Sequence, residues 1–154
     1  MLRLRTHGYE RFFQSPAFEA TFGGGEANVA VSLSNYGFDA GFISALPDND
    51  IGQNAINALR AVGVDTNNVK RQGERVGIYF LETGANQRAS KVIYDRSNSS
   101  ISQCKPGDFD WPSIFKDAKW LHITGITPAL SQDSADLSLE CVKEAQKAGL
   151  TVSC

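Results

Sequence analysis

The sequence is poor in the residues that build metal centres and disulfide frames. Its 154 residues include three cysteines and two histidines. Cys104, Cys141 and Cys154 are far apart and form no C-x-x-C pair. Unpaired thiols of this kind suit a reducing compartment better than a disulfide framework or a zinc site, so a cytoplasmic location is expected. Two histidines, His7 and His122, make a histidine metal site unattractive. No histidine is placed beside a cysteine to activate it as a nucleophile. No apolar run approaches the ~20 residues that span a bilayer. The opening MLRLRTHGYERFF lacks an apolar h-region, which predicts no signal peptide. A basic surplus is missing too: 15 Lys and Arg stand against 17 Asp and Glu, a net charge of −2. Neither nucleic acid nor an anionic membrane is an expected partner. There is no G-x-x-x-x-G-K-[ST] phosphate loop and no G-x-S-x-G nucleophile elbow.

What is present is ordinary globular composition, 42% hydrophobic and 21% charged. The length is sufficient for one domain with a real core. Leu2 and Leu4 alternate with Arg3 and Arg5, and Phe18 to Phe22 is β-prone, so residues 2–22 read as strand material. After Gly23-Gly24-Gly25 the pattern turns helical, with Val29, Ala30, Leu33 and Tyr36 at helical spacing and Gly37 as a stop. Ala40 to Leu46 reads as a buried strand and Pro47 to Asp50 as a capping turn. The next helix, with Ile51, Ala55, Leu59 and Val62 on its inner face, is expected to end at Gly63. Val76 to Leu81 and Ala89 to Tyr94 read as a hairpin, and Ser97 to Ser102 as a loop. A short helix is expected around Trp111 to Phe115 and a strand over Trp120 to Thr124. A helix follows from Leu130 to Ala148, with Ala135, Leu139, Val142 and Ala145 inward, and then a strand from Leu150. Alternating strand and helix predict a parallel α/β sheet with the hairpin as an insertion or edge.

Two segments could carry chemistry. In FGGGEANVAV, glycines before a helix start let backbone approach a ligand, and the free N–H groups favour polar or anionic atoms. One reading is a dinucleotide fingerprint, Gly23-x-Gly25-x-x-Asn28, which lacks the third glycine but has Asp48 beyond the next strand as a ribose-binding acid. A second reading is a polyol site in which the Asn28 amide donates and accepts toward vicinal hydroxyls. A third is a plain glycine turn with Asn28 turned inward. In VIYDRSNS, Tyr94 and Arg96 share a strand face at i, i+2 spacing, with Tyr79 on the partner strand able to join them. Arg96 would offer planar donors to a carboxylate. The alternative is an edge strand with packed aromatics and a solvated arginine. His122 reads as a satisfied strand-end histidine.

Taken together, GGGEANVAVSLSNYG and LPDNDIGQNAINALRAVGVDT resemble the N-terminal half of ribokinase-like, PfkB-type sugar kinases. GIYFLE, VIYDR and HITGITPALS resemble the 2-dehydro-3-deoxygluconate kinases among them. The resemblance covers essentially all 154 residues. It implies a Rossmann-like α/β core, about 23–75 and 97–154, and a small β-sheet lid, about 2–22 and 76–96. It also implies sugar-acid contacts from Gly24, Gly25, Glu26, Ala27, Asn28, Tyr79, Tyr94, Asp95 and Arg96, and ATP with Mg²⁺ as the phosphoryl source. The family's catalytic aspartate, in a late Gly-Ala-Gly-Asp-type helix start, has no counterpart here, and neither has its nucleotide site. An inactive N-terminal portion that keeps the sugar side is therefore the leading expectation. A non-catalytic sugar-acid binder or complementing half-domain is the second, and a truncated dinucleotide-binding oxidoreductase the third. A homo-oligomer formed through the lid is left open.

Overall fold

Strand and helix alternate along much of the chain, but the strands do not make one sheet. The computed structural model describes residues 1–154. In order, it contains β1 (Leu2–Thr6), β2 (Phe18–Phe22), α1 (Gly25–Asn35), β3 (Ser44–Leu46), α2 (Asp50–Arg60) and β4 (Val69–Arg71). Then come β5 (Ile78–Glu82), β6 (Lys91–Asp95), α3 (Trp111–Phe115), β7 (Trp120–His122), α4 (Gln132–Lys147) and β8 (Thr151–Ser153). Short 3₁₀ turns occupy Ser100–Gln103 and Thr127–Ala129.

The 78–95 hairpin joins the amino-terminal strands in a sheet of its own, ordered β2-β1-β5-β6. Here β1 runs antiparallel to β2 and parallel to β5, and β5 is antiparallel to β6 with Tyr79 directly opposite Tyr94. The α/β part contributes two parallel pairs, β3 with β4 and β7 with β8. In each, the intervening helix makes the parallel return that a crossover requires.

The helix ends follow their capping chemistry. Asn49 accepts a 2.9 Å hydrogen bond from the Gly52 N–H, and Ser131 accepts one of 3.0 Å from the Ser134 N–H. Each satisfies a donor that the first turn leaves without a partner.

Burial corrects several expected inner faces. In α2 the buried stripe is Gly52, Ala55, Ile56 and Leu59, so Ile51 and Val62 are exposed. In α1 only Ala30 is fully buried, and Leu33 and Tyr36 face outward. In α4 the stripe is Ser134, Leu137, Ser138 and Ala145, and Leu139 is exposed. Two serines can replace leucine at the core because their hydroxyls bond locally. Ser134 meets the Ser131 hydroxyl, and Ser138 donates to the Ser134 carbonyl at 2.7 Å. Their small side chains let α4 lie close to its neighbours.

The largest apolar cluster gathers Ala45, Cys104, Trp111, Phe115, Leu121, Leu137, Ala145 and Leu150. Trp111 stacks between Phe109 at 5.3 Å and Phe115 at 5.5 Å, and its indole N–H donates to Glu140 at 2.7 Å. The tryptophan thus buries its rings without stranding its polar edge.

Each parallel pair has a second, unpaired edge. Phe42 and Leu46 bond toward β4, donating to Asp65 and accepting from Gln72. By strand alternation, the N–H and C=O groups of Ile43 and Ala45 point the other way, where no strand lies. Ala45 is only 2% exposed. In β7, Ile123 and Lys119 bond toward β8, so the backbone groups of Trp120 and His122 point away from it. No helix is long and apolar enough to cross a membrane.

Candidate functional site

A cleft of about 120 Å³ lies where the four-stranded sheet meets the α/β part. One wall is the start of α1, with Gly23, Gly24, Gly25, Glu26 and Ala27. The facing walls come from β3, from Arg75 to Gly77, from Arg96 and Ser99 to Ile101, and from the turn at Ile126 to Leu130.

At the α1 start Gly24 is required by its backbone conformation, and Gly25 sits in a tight space. Gly24 has φ of +150° and ψ of 152°, a region essentially closed to side-chain-bearing residues. A Cβ on Gly25 would lie 3.1 Å from the Thr124 methyl group. As helix N-cap, Gly24 offers no side-chain acceptor. The first free N–H groups of α1 therefore remain at the cleft wall, where the helix dipole favours electron-rich atoms.

Glu26 is turned to a structural task on at least one oxygen. Its Oε1 accepts from Thr124 Oγ1 at 2.7 Å and from Thr127 Oγ1 at 3.1 Å. This fixes α1 against the loop after β7. The Met1 α-amino group, also at the cleft, donates to the Gly23 carbonyl at 2.8 Å. Burial pushes it below its ordinary value of 8.0, with the Glu26 charge pulling partly back.

The opposite side is built by the β5–β6 hairpin. The cross-strand pair Tyr79 and Tyr94 has ring centroids 6.0 Å apart. The Arg96 guanidinium lies 4.6 Å from the Tyr94 ring centre. Such cation–π contact holds the group in place while leaving its N–H donors free. Arg96 is half-buried and has no carboxylate within ion-pair distance. Tyr79 and Asn28 converge on Gly23: a Cβ there would lie 3.3 Å from the Tyr79 hydroxyl and 3.7 Å from Asn28 Oδ1. The Asn28 amide is exposed rather than turned inward.

Of the expected site residues, Gly24, Gly25, Glu26, Ala27 and Arg96 line the cleft itself. Asn28, Tyr79 and Tyr94 adjoin it through the contacts just described. Asp95 is engaged elsewhere, in a 2.9 Å ion pair with Arg75. Asp48 is outside the cleft and pairs with Arg71 at 3.0 Å. His122 shares the Ser153 hydroxyl with the Trp120 indole N–H. Arg75, Gly77, Thr124 and Thr127 were not singled out by spacing. They sit in no glycine cluster or aromatic pair, and only the fold brings them to the site.

The family model for pfkB family carbohydrate kinases matches residues 4–154. The chain belongs to the pfkB family of carbohydrate kinases. It is 33% identical over 153 residues to a 2-dehydro-3-deoxygalactonokinase of Haloferax volcanii, covering 99% of this chain and 48% of that one. It is 30% identical to a 2-dehydro-3-deoxygluconokinase of Bacillus subtilis, covering 94% of this chain and 45% of that protein. Among solved structures, a 2-dehydro-3-deoxygluconokinase of Thermotoga maritima superposes with a TM-score of 0.97 at 48% identity. That match covers 100% of this chain and 47% of that one. The chain thus spans about half the length of the pfkB relatives it matches. The ribokinase-like architecture accounts for a four-stranded sheet standing apart from an α/β part, with the cleft between them.

Proposed function

We propose that these residues form the sugar-binding side of a kinase that phosphorylates a hydroxyl of a sugar acid, most specifically 2-dehydro-3-deoxy-D-gluconate. The observation that carries this reading is Arg96. It is a half-buried guanidinium with no carboxylate partner, held on Tyr94 beside a cleft lined by the glycine backbone at the α1 start, by serine and threonine residues, and by apolar side chains such as Phe42, Ile43 and Leu130. A planar fork of donors matches a carboxylate, and the Asn28 amide and Tyr79 hydroxyl around Gly23 match vicinal hydroxyls. Relatives named for 2-dehydro-3-deoxy sugar acids support the same substrate class. In this reading the β2-β1-β5-β6 sheet is a lid, segments about 2–22 and 76–96, over a core of about 23–75 and 97–154. Exposed Phe18, Val92 and Ile93 on that sheet support pairing of lids between two copies. The setting is cytoplasmic.

ATP with Mg²⁺ would be the phosphoryl source of the complete kinase. We place that pair outside this cleft, whose one lining carboxylate, Glu26, is already bonded to Thr124 and Thr127. The only cationic side chains lining the cleft are Arg75 and Arg96. Phosphoryl transfer needs positioning, charge neutralisation and a base together, so the 154 residues alone are expected to show negligible turnover. Calorimetric titration with 2-dehydro-3-deoxy-D-gluconate tests the binding role. Measurable heat that Arg96→Met abolishes supports it, and no heat at millimolar ligand sinks it.

A second reading, a half-domain completed by another polypeptide segment, is favoured by the unpaired backbone groups of Ile43 and Ala45. Buried backbone donors and acceptors are almost always paired, so an added strand would complete that edge. Hydrogen exchange tests whether that edge is completed. Fast exchange at Ile43 and Ala45 in the isolated chain, slowed in the complete kinase, is the expected pattern.

A further inference from the structure

Arg75 does not sit on the segment that carries the proposed carboxylate receptor, which is one residue past the end of β6, yet it grips the backbone on both sides of it. Its Nη2 donates to the Asp95 carbonyl at 2.9 Å and its Nη1 to the Ser97 carbonyl at 3.4 Å. The same guanidinium pairs with the Asp95 carboxylate at 2.9 Å. Those two carbonyls flank Arg96. The segment that bears Arg75 is itself anchored, because the Arg75 carbonyl accepts from both the N–H and the hydroxyl of Ser100, at 2.9 and 3.0 Å. Ser100 is almost fully buried. Two residues on, Gly77 lets the chain close against Arg96: a Cβ there would lie 3.1 Å from Arg96 Cβ and 3.4 Å from Ser99 Cβ.

We propose that Arg75 is a positioning residue that fixes the Arg96 guanidinium for an anionic substrate group. Two physical effects act together. The two-carbonyl bracket holds the Arg96 backbone while Tyr94 holds its side chain, so little freedom remains to be lost on binding. The ion pair also masks the Asp95 charge, which would otherwise stand beside the incoming carboxylate. Arg75 itself need not touch the substrate. The proposal rests on the sugar-acid reading above, and the experiment separates the two.

The Arg96 Nε–H order parameter is measured by NMR on the 154-residue chain without ligand, in wild type, Arg75→Lys and Arg75→Met. Ordered Arg96 in wild type and mobile Arg96 in Arg75→Met is the expected result, and an unchanged order parameter overturns the proposal. Titrations with 2-dehydro-3-deoxy-D-gluconate and with its uncharged amide provide the second readout. Arg75→Met should weaken the acid about tenfold, as loss of one well-placed charge-assisted contact would, and leave the amide within about twofold. Equal weakening of both ligands indicates a merely structural role and overturns the proposal. The double variant Arg75→Met/Asp95→Asn restores the charge sum without the bracket and should stay weakened. Full recovery would reduce Arg75 to a charge mask and overturn positioning. If no form binds the acid, the sugar-acid reading fails while the order parameter still decides the role of Arg75.

Discussion

Glu26 Oε1 accepts a 2.7 Å hydrogen bond from Thr124 Oγ1, joining the start of α1 to the loop after β7 across 98 residues of chain. Thr127 donates to the same oxygen. Hydrogen bonds to a charged acceptor contribute about 1.5–3 kcal/mol each when part-buried, and removing the acceptor also strands the donors. Glu26→Ala is therefore expected to lose about 3 kcal/mol or more, read from urea midpoints at constant slope. Glu26→Gln keeps an acceptor oxygen and should lose less than half as much. Equal losses in the two variants would refute the assignment.

Steric fit makes a second, sharper forecast. A Cβ on Gly52 would sit 2.1 Å from the Pro47 carbonyl oxygen, a backbone atom that cannot swing away. Gly52→Ala should cost about 3 kcal/mol or more through forced backbone displacement. Gly37 is the control: nothing lies within 4 Å of its Cβ position, and only its φ of +84° resists a side chain. Gly37→Ala should cost about 1–2 kcal/mol. Denaturant unfolding of both variants checks the order, and a Gly52→Ala protein as stable as wild type would contradict the packing.

How much of this was legible in the sequence depends on the range of the interaction. The Pro47 to Asp50 turn announces its cap at Asn49 because the acceptor and its N–H lie three residues apart, whereas the helix expected from Leu130 begins only at Gln132, with Ser131 as its cap. The Tyr79–Tyr94 pair was readable because a hairpin fixes its own register. Leu139 misled because hydrophobicity says which residue prefers burial, not which side of α4 packs, and Ser134 and Ser138 fill that side with locally bonded hydroxyls. The same gap separates the visible half of the site from the hidden half. Gly24 to Asn28 and Tyr94 to Arg96 are local patterns. Thr124 and Thr127 lie in the HITGITPALS run that marks the family resemblance, but that run does not say that they reach Glu26, which only the fold brings about.

The thiols provide a test of burial. Burial, and secondarily the Asp108 charge, pushes Cys104 up to about 11. Burial, with Glu140 adding to it, pushes Cys141 up to about 12. Both remain protonated and inert near neutral pH, since the thiolate is the reactive species. Cys154 is exposed. With an aromatic disulfide reagent, the native chain should show one fast thiol, the exposed Cys154. Denaturation should release the other two, and Cys154→Ser should abolish the fast phase. Fast labelling of Cys104 would mean that the cluster around Trp111 opens readily.

The four-stranded sheet should be an acid-sensitive part of the molecule. The Phe12 backbone N–H, bonded to Glu82 at 3.0 Å, holds that carboxyl below its ordinary 4.5, with partial opposition from burial and help from Arg88 and Lys91. Glu19 is lowered chiefly by its hydrogen bond from Arg5, and then by His7. A carboxylate with a folded value below its unfolded one contributes stability that is complete above the unfolded value. That contribution disappears as pH falls through the folded value. Stability should thus be flat above about pH 5 for these groups and decline below about pH 4.5. Glu82 also holds Arg88, which in turn donates to the Tyr9 carbonyl, so its protonation loosens the 7–17 loop and the hairpin together. Glu82→Gln should be less stable than wild type at neutral pH and show a flatter loss below about pH 4.5. Amide exchange at Phe12 and across β5–β6, followed against pH, is the direct measurement. A wild-type chain whose sheet keeps its protection well below that range would overturn the assignment.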